Sequence, residues 1–307
     1  MSINAYMRIA FILSILLSTF SLNNATFSQT IKPNTSTQMS SNETSSNNDL
    51  IKTNGAESTS TLIVKLLSNN VEDRLHKAGS ILNITSKLPQ VRNASFAYLL
   101  NQTLSTLHGI PEDTDTEKRK VAQNILSSYK DFQIILFIMP NGDIYFDEPY
   151  SRQQNSTTTN LAFRDYFQGA IRTNDTYLGN VNTSASSGQR QALIAVPVYS
   201  LKDNSTVVGV WAGGIDFDGL NKELQSLDLT AGERVVYVDH NGNKIADSDE
   251  NNTNARESFA NLTSFKNAIN GQSGSIIETI GSAKMIVTYQ PVKAFHNAWA
   301  VLLMQQS

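Results

Sequence analysis

The chain has 307 residues, a formal net charge of −3 and no cysteine. That length allows two modest domains or one large one, and a near-balanced charge without a basic stripe argues against nucleic-acid binding. The absence of cysteine excludes disulfides, thiolate metal sites, a cysteine nucleophile and a cysteine-linked lipid anchor.

Residues 1–10 carry Arg8 as their one charged side chain, residues 9–22 are apolar with scattered Ser and Thr, and residues 23–29 are small and polar. This is the layout of a secretory signal, with cleavage near Ala25 or Ser28. The apolar stretch is shorter than the roughly 20 residues a spanning helix needs. Residues 1–28 therefore read as a signal peptide or an N-terminal anchor. Residues 29–60 are rich in Ser, Thr, Asn and Gln and too poor in apolar side chains to repay ordering, so they read as a disordered linker. Twelve Asn-X-Ser/Thr sequons occur, at Asn24, Asn34, Asn42, Asn83, Asn93, Asn101, Asn155, Asn174, Asn182, Asn204, Asn251 and Asn261. They fit an exported glycoprotein, although a composition this rich in Ser, Thr and Asn also produces sequons cheaply.

Val64, Leu67, Val71, Leu75, Ala78 and Leu82 recur at threes and fours, which predicts a long amphipathic helix ending near Pro89. A second helical run follows at Phe96, Leu99, Leu100, Leu104 and Leu107, up to Pro111. A third, over residues 117–129, would bury Val121, Ile125 and Leu126. The pattern then changes to strands. Residues 132–139 and 143–146 flank Pro140-Asn141-Gly142, and residues 235–239 and 244–246 flank Asn241-Gly242, both hairpin signals. A short helix follows each hairpin, at residues 163–172 and 264–270. Strand-like runs follow in turn, at residues 192–199 and 207–216 in the first half. Val196-Pro197-Val198 is echoed by Gln290-Pro291-Val292, and residues 207–211 by residues 298–302. The body is thus a tandem of two similar α+β units behind helices.

The most informative block is Phe163-Arg164-Asp165-Tyr166-Phe167-Gln168-Gly169-Ala170. An Arg among aromatics, on a segment facing strands, needs an anionic partner if buried. That partner is either a protein carboxylate, with Asp165 and Asp216 the candidates, or a ligand. Tyr166 and Phe167 either wall a pocket or pack the core, and Asp216 either meets a ligand or caps a following helix. Asp239, Asn241, Asn243 and Glu250 half-match a calcium loop, but Lys244 stands where that loop needs glycine. There is no nucleophile elbow, phosphate loop or His-Glu-X-X-His. His76, His108, His240 and His296 are scattered, so the chain reads as non-enzymatic and without a cofactor.

From about Thr61 onward these pieces, in this order, resemble the double Cache (PDC-type) extracellular sensor domain. The shared motifs are the long helix, the Asn-Gly hairpins, Phe-Arg-Asp-Tyr-Phe-Gln-Gly-Ala, Ile-Ala-Val-Pro-Val and Val-Val-Gly-Val-Trp-Ala-Gly-Gly-Ile-Asp-Phe. The resemblance implies an α+β fold: a long N-terminal helix with two tandem PAS-like lobes, each a mostly antiparallel sheet with flanking helices. The divisions expected are a helical region at 61–130, a membrane-distal ligand lobe at 131–228 and a membrane-proximal lobe at 229–307. It implies that Arg164 grips a ligand carboxylate, that Tyr166 and Phe167 wall the pocket, and that Asp216 receives a ligand ammonium group. The amino-acid-binding subfamily usually has Trp where this chain has Tyr166, and Tyr where it has Phe167, with further tyrosines near Thr159 and near Val181 or Asn182. The expected ligand is therefore a carboxylate-bearing metabolite, an organic acid or amino acid. A membrane-bound signalling partner, a homodimer through the N-terminal helix and a place outside the cell follow from the same resemblance. The sequence stops at Ser307, where an output-linking helix would begin, so no C-terminal output domain is expected. The alternative is a glycosylated structural or adhesive surface protein using the fold as a scaffold.

Overall fold

The computed structural model describes residues 47–252 and 256–307. Its first element is α1 (Asn47–Ser86). Ile63, Val64, Leu67, Val71, Leu75, Ala78 and Leu82 form one apolar stripe, each at most 3% exposed. The helix starts within the stretch expected as linker. Thr59 and Ser60 are buried there, and Ser60 Oγ donates to Gln305 Oε1 at 3.1 Å. The expected signal and the rest of the linker lie outside the described residues.

α2 (Pro89–Arg92), a 3-10 turn (Ser95–Leu99), α3 (Leu104–Leu107) and α4 (Thr116–Ser128) follow. The periodic run from Phe96 to Leu107 is not one helix. Asn93 Oδ1 accepts from Ser95 N–H, and the Thr103 hydroxyl caps α3 by accepting from Thr106 N–H. Such local bonds compete with a continuous helix and leave Tyr98 and Leu99 exposed.

The distal sheet has the order β2-β1-β7-β6-β3, all antiparallel. Its strands are β1 (Phe132–Ile138), β2 (Ile144–Glu148), β3 (Tyr177–Leu178), β6 (Leu193–Tyr199) and β7 (Val207–Ile215). Between β2 and β3 lie α5 (Tyr150–Gln154) and α6 (Asp165–Thr173). β4 (Asn182–Thr183) and β5 (Arg190–Gln191) make a separate small hairpin. After α7 (Phe217–Gln225) comes the proximal sheet, ordered β10-β11-β12-β8-β9. It contains β8 (Arg234–Val238), β9 (Lys244–Asp247), β10 (Gly274–Ile280), β11 (Ala283–Ala294) and β12 (Asn297–Gln306), with α8 (Thr263–Ile269) after the hairpin.

The two sheets share one topology, and the repeat reaches into details. Gly142 and Gly242 sit at φ +90° and +84°, open to glycine at no steric cost. Each carbonyl accepts at 2.7 Å from the strand entering the following helix, Gly142 from Leu161 N–H and Gly242 from Phe259 N–H. The hairpins are bulged at corresponding places, between Phe137 and Ile138 and between Tyr237 and Val238. Pro197 and Pro291 each fall beyond the end of the neighbouring outer strand, where a missing N–H is harmless.

α1 packs on β11 and β12 with its N-terminal part and on β6 and β7 with its C-terminal part. Glu72 accepts from Lys293 N–H at 3.1 Å and the Trp211 indole donates to Thr85 Oγ1 at 3.0 Å, which fixes the two ends. One continuous core therefore joins both lobes through α1, and each lobe has a smaller cluster on its other face, under α6 or α8. The α+β architecture with two antiparallel lobes on one long helix is the one expected from the sequence.

Candidate functional site

The site lies on the α6 side of the distal sheet. β1 and β6 supply an apolar floor through Ile134, Leu136 and Leu193, and the start of α6 supplies Arg164 and Tyr166. The turn after β4, Ser184 to Ser186, supplies a further wall. Thr157 N–H and its hydroxyl both donate to Ala185 O, at 2.9 and 3.0 Å, and hold that turn down.

Arg164 occupies the residue before α6 with extended backbone (φ −74°, ψ 136°). Its Nη2 donates to Thr183 O at 2.9 Å, and the guanidinium carbon stands 4.8 Å from the Phe163 ring centroid. Its Nε is buried without a partner. Neither candidate carboxylate pairs it. Asp165 accepts from Tyr166 N–H at 2.8 Å and from Asn180 N–H at 2.6 Å. Asp216 caps α7, accepting from Asp218 N–H at 3.1 Å, beside Gly219 and away from this cavity. Among the described residues Arg164 has no ion pair.

Tyr166 lines the cavity at 2% exposure; burial pushes its hydroxyl pKa upward, with Asp147 adding and Arg164 opposing. Phe167 is buried in the apolar cluster behind it and does not line the cavity. The structure thus brings Arg164 and Tyr166 together, sets Phe167 behind them and leaves Asp216 elsewhere.

Several polar residues in the cavity were not foreseen: Ser156, Ser184, Ser186 and, most informative, Asp147 and Gln191. Asp147 is 3% exposed, and its Oδ1 has no hydrogen-bond partner; neither has Gln191 Oε1. The bulge explains the placement of Asp147. It sets Tyr145 and Phe146 both on the α1 side, so the next residue turns to the α6 side. Glu148 then points back and pairs with Arg119 of α4 at 2.7 Å. The signal in the sequence was the pair Asp147-Glu148 ending an apolar strand, since alternation must send one of them to each face. Burial pushes the Asp147 pKa up to about 7, against the opposing pull of Arg119 and Arg152. Orphaned buried polar atoms are rare in native proteins and mark strain, function or an absent partner. Here three of them, on Arg164, Asp147 and Gln191, converge on one cavity.

At the corresponding strand positions the proximal lobe carries an internally paired set of charges. Asp247, one hundred residues after Asp147, is held by Arg234 at 2.6 Å and by Lys244 at 2.8 Å, and Glu257 joins them. Leu262 precedes α8 where Arg164 precedes α6, and each donates its N–H at 3.0 Å to the residue three before it. No cluster of His, Asp and Glu that could hold a metal ion occurs among the described residues, including around Asp239.

No curated protein sequence matches the chain. Solved structures with the same fold include the ligand-binding domain of the Pseudomonas fluorescens chemoreceptor CtaA in complex with L-isoleucine. It is 14% identical, with a TM-score of 0.59, over 85% of this chain and 96% of that one. The ligand-binding domain of the Pseudomonas aeruginosa amino-acid chemoreceptor PctC, in complex with GABA, is 14% identical with a TM-score of 0.57, over 82% and 100%. The periplasmic sensory domain of the Campylobacter jejuni chemoreceptor Tlp1 is 14% identical with a TM-score of 0.59, over 83% and 96%. At such identity these likenesses speak for the fold. The profile of the Cache domain family matches residues 42–307, and the chain belongs to that family.

Proposed function

We propose that this chain is an extracytoplasmic sensor module whose distal lobe binds a small carboxylate-bearing metabolite. The observation that carries the reading is the buried, unpaired Nε of Arg164 facing a cavity that also holds the unpaired Asp147. Guanidinium presents a planar donor pair that suits a carboxylate, and charge-assisted hydrogen bonds contribute about 1.5–3 kcal/mol each. Chemoreceptor domains of the same fold in complex with amino acids support a small-molecule ligand. A carboxylate site of this kind in the distal lobe alone is supported by the paired ion network and by Leu262, which stand at the corresponding positions of the proximal lobe.

The cavity, about 20 Å³, has room for about one water. Entry of a metabolite therefore requires the turn at Ser184 to Ser186 to lift, breaking the contacts of Ala185 with Thr157 and of Thr183 with Arg164. A membrane-bound signalling partner and a dimer through α1 belong to this proposal. No helix among the described residues is long and apolar enough to cross a membrane.

Thermal-shift screening with organic acids, amino acids, amines and purines tests the proposal. A carboxylate that raises the melting temperature of the wild type should bind Arg164→Ala about 10- to 100-fold more weakly, as the loss of one such contact predicts. No stabilising compound in any class would favour the inert-scaffold alternative.

A further inference from the structure

Within the distal cavity, Asp147 is a carboxyl that the fold turns inward and then leaves without a partner for Oδ1. The cavity wall around it is in good part apolar, and charged groups approach it from several elements. α4 brings Arg119, already committed to Glu148 at 2.7 Å and to Gln153 at 3.0 Å. α5 brings Arg152, whose Nη2 donates to Gln133 at 3.1 Å and whose Nη1 is unpaired. Its own strand brings Glu148, and the start of α6 brings Arg164 and the Tyr166 hydroxyl. Neither arginine of α4 and α5 forms an ion pair with Asp147 among the described residues, so no direct cation contact holds this carboxyl in its charged form.

We propose that Asp147 is a specificity-determining residue of this pocket that exchanges one proton with solvent as the pocket fills, so that the domain reads pH together with its ligand. The inference rests on the reading of the distal cavity as a ligand site. As a carboxylate, Asp147 only accepts hydrogen bonds and favours a ligand group that donates them. As a carboxylic acid, it presents an O–H and favours a ligand group that accepts. Burial holds the midpoint of this exchange near neutrality, where solution pH selects between the two forms.

The test uses three probes with one three-carbon acid skeleton: propionate, L-lactate and L-alanine. Binding is measured by calorimetry at pH 6, 7 and 8 on wild type, Asp147→Asn and Arg164→Ala. A ligand that requires the ionised carboxyl should gain about tenfold in affinity between pH 6 and pH 8, because the competent fraction rises by about that factor. L-Alanine should show that gain and propionate the reverse trend, and in Asp147→Asn both should become independent of pH. Arg164→Ala should weaken all three at every pH. Binding that is equally independent of pH in wild type and Asp147→Asn overturns this inference and leaves the carboxylate reading intact. Binding by Arg164→Ala as strong as by wild type overturns the carboxylate reading, and absence of binding by any probe at any pH overturns both.

Discussion

The ligand-free protein should already register the buried carboxyl of Asp147. In the unfolded chain this group titrates at an ordinary value near 3.8, and in the folded chain at about 7. Between those values the folded state holds the proton more tightly, so stability falls as pH rises from 4 to 7, and above 7 the full penalty of a buried charge is present. A displacement of about three units corresponds to about 4 kcal/mol at most. Asp147→Asn keeps the shape and removes the charge. It should therefore match or fall slightly below the wild type at pH 4.5, and exceed it at pH 8 by about 1–3 kcal/mol once relaxation around the charge is allowed for. For a chain of this size that is a melting-temperature gain of several degrees, about 2–4 °C per kcal/mol. Differential scanning calorimetry at pH 4.5, 6, 7 and 8 reads it directly. A constant difference across that range would mean that Asp147 does not titrate near neutrality. A variant that loses ground as pH rises would mean that Arg119 and Arg152 stabilise the ionised carboxylate by more than burial penalises it.

Arg74 joins α1 to the loop before β1 and to α7 through Asp131 and Glu223, with about a quarter of its side chain exposed. Arg74→Ala should lower stability by about 1–3 kcal/mol, less than a fully buried pair would lose, as read from guanidinium melts. Asp239 is fully buried and accepts from Asn241 N–H, Asn243 N–H and the Asn243 amide in its own lobe, and at 2.8 Å from Val181 N–H of the distal lobe. Asp239→Ala should cost about 2–4 kcal/mol by stranding those donors. It should also speed amide exchange at Val181, which a change confined to the proximal hairpin would leave alone.

Much of the fold was legible because its markers are local. The Asn-Gly hairpin tips one hundred residues apart reveal the repeat, since only certain residues tolerate the turn geometry they need. The stripe from Val64 to Leu82 shows a helix that must lie on something apolar. The site was legible only in part. Arg164 and Tyr166 stand out as a charge and an aromatic in an amphipathic block. Asp147 was hidden by the bulge at Phe137, because the face a strand residue occupies depends on a register that sequence periodicity does not display. Asp216 shows the reverse. Counting along β7 continues the parity of Val210 and Ala212, both on the pocket face, through Gly214 to Asp216. But the strand ends at Ile215, and the carboxylate turns back to cap α7. The pocket-facing position before it is Gly214, where an added Cβ would meet Ile134 at 2.6 Å and Gln191 Oε1 at 3.2 Å.

The two lobes make a controlled comparison within one chain. They share strand order, hairpin bulge, glycine turn and the contact from that turn to the strand behind it, so backbone geometry is held nearly constant. What differs is the chemistry hung on it. At the three positions where the proximal lobe carries Arg234, Lys244 and Asp247, an internally paired set, the distal lobe carries Ile134, Ile144 and Asp147. Removing two cations while keeping the carboxyl leaves a group whose charged form burial disfavours. Placing Arg164 where the proximal lobe has Leu262 adds a second unpaired group to the same space. An ion network that satisfies itself leaves no group to be paired, whereas the distal set leaves Asp147 Oδ1 and Arg164 Nε without hydrogen-bond partners. If the proposed site is right, the distal lobe, and not its twin, is the one that a bound carboxylate should stabilise.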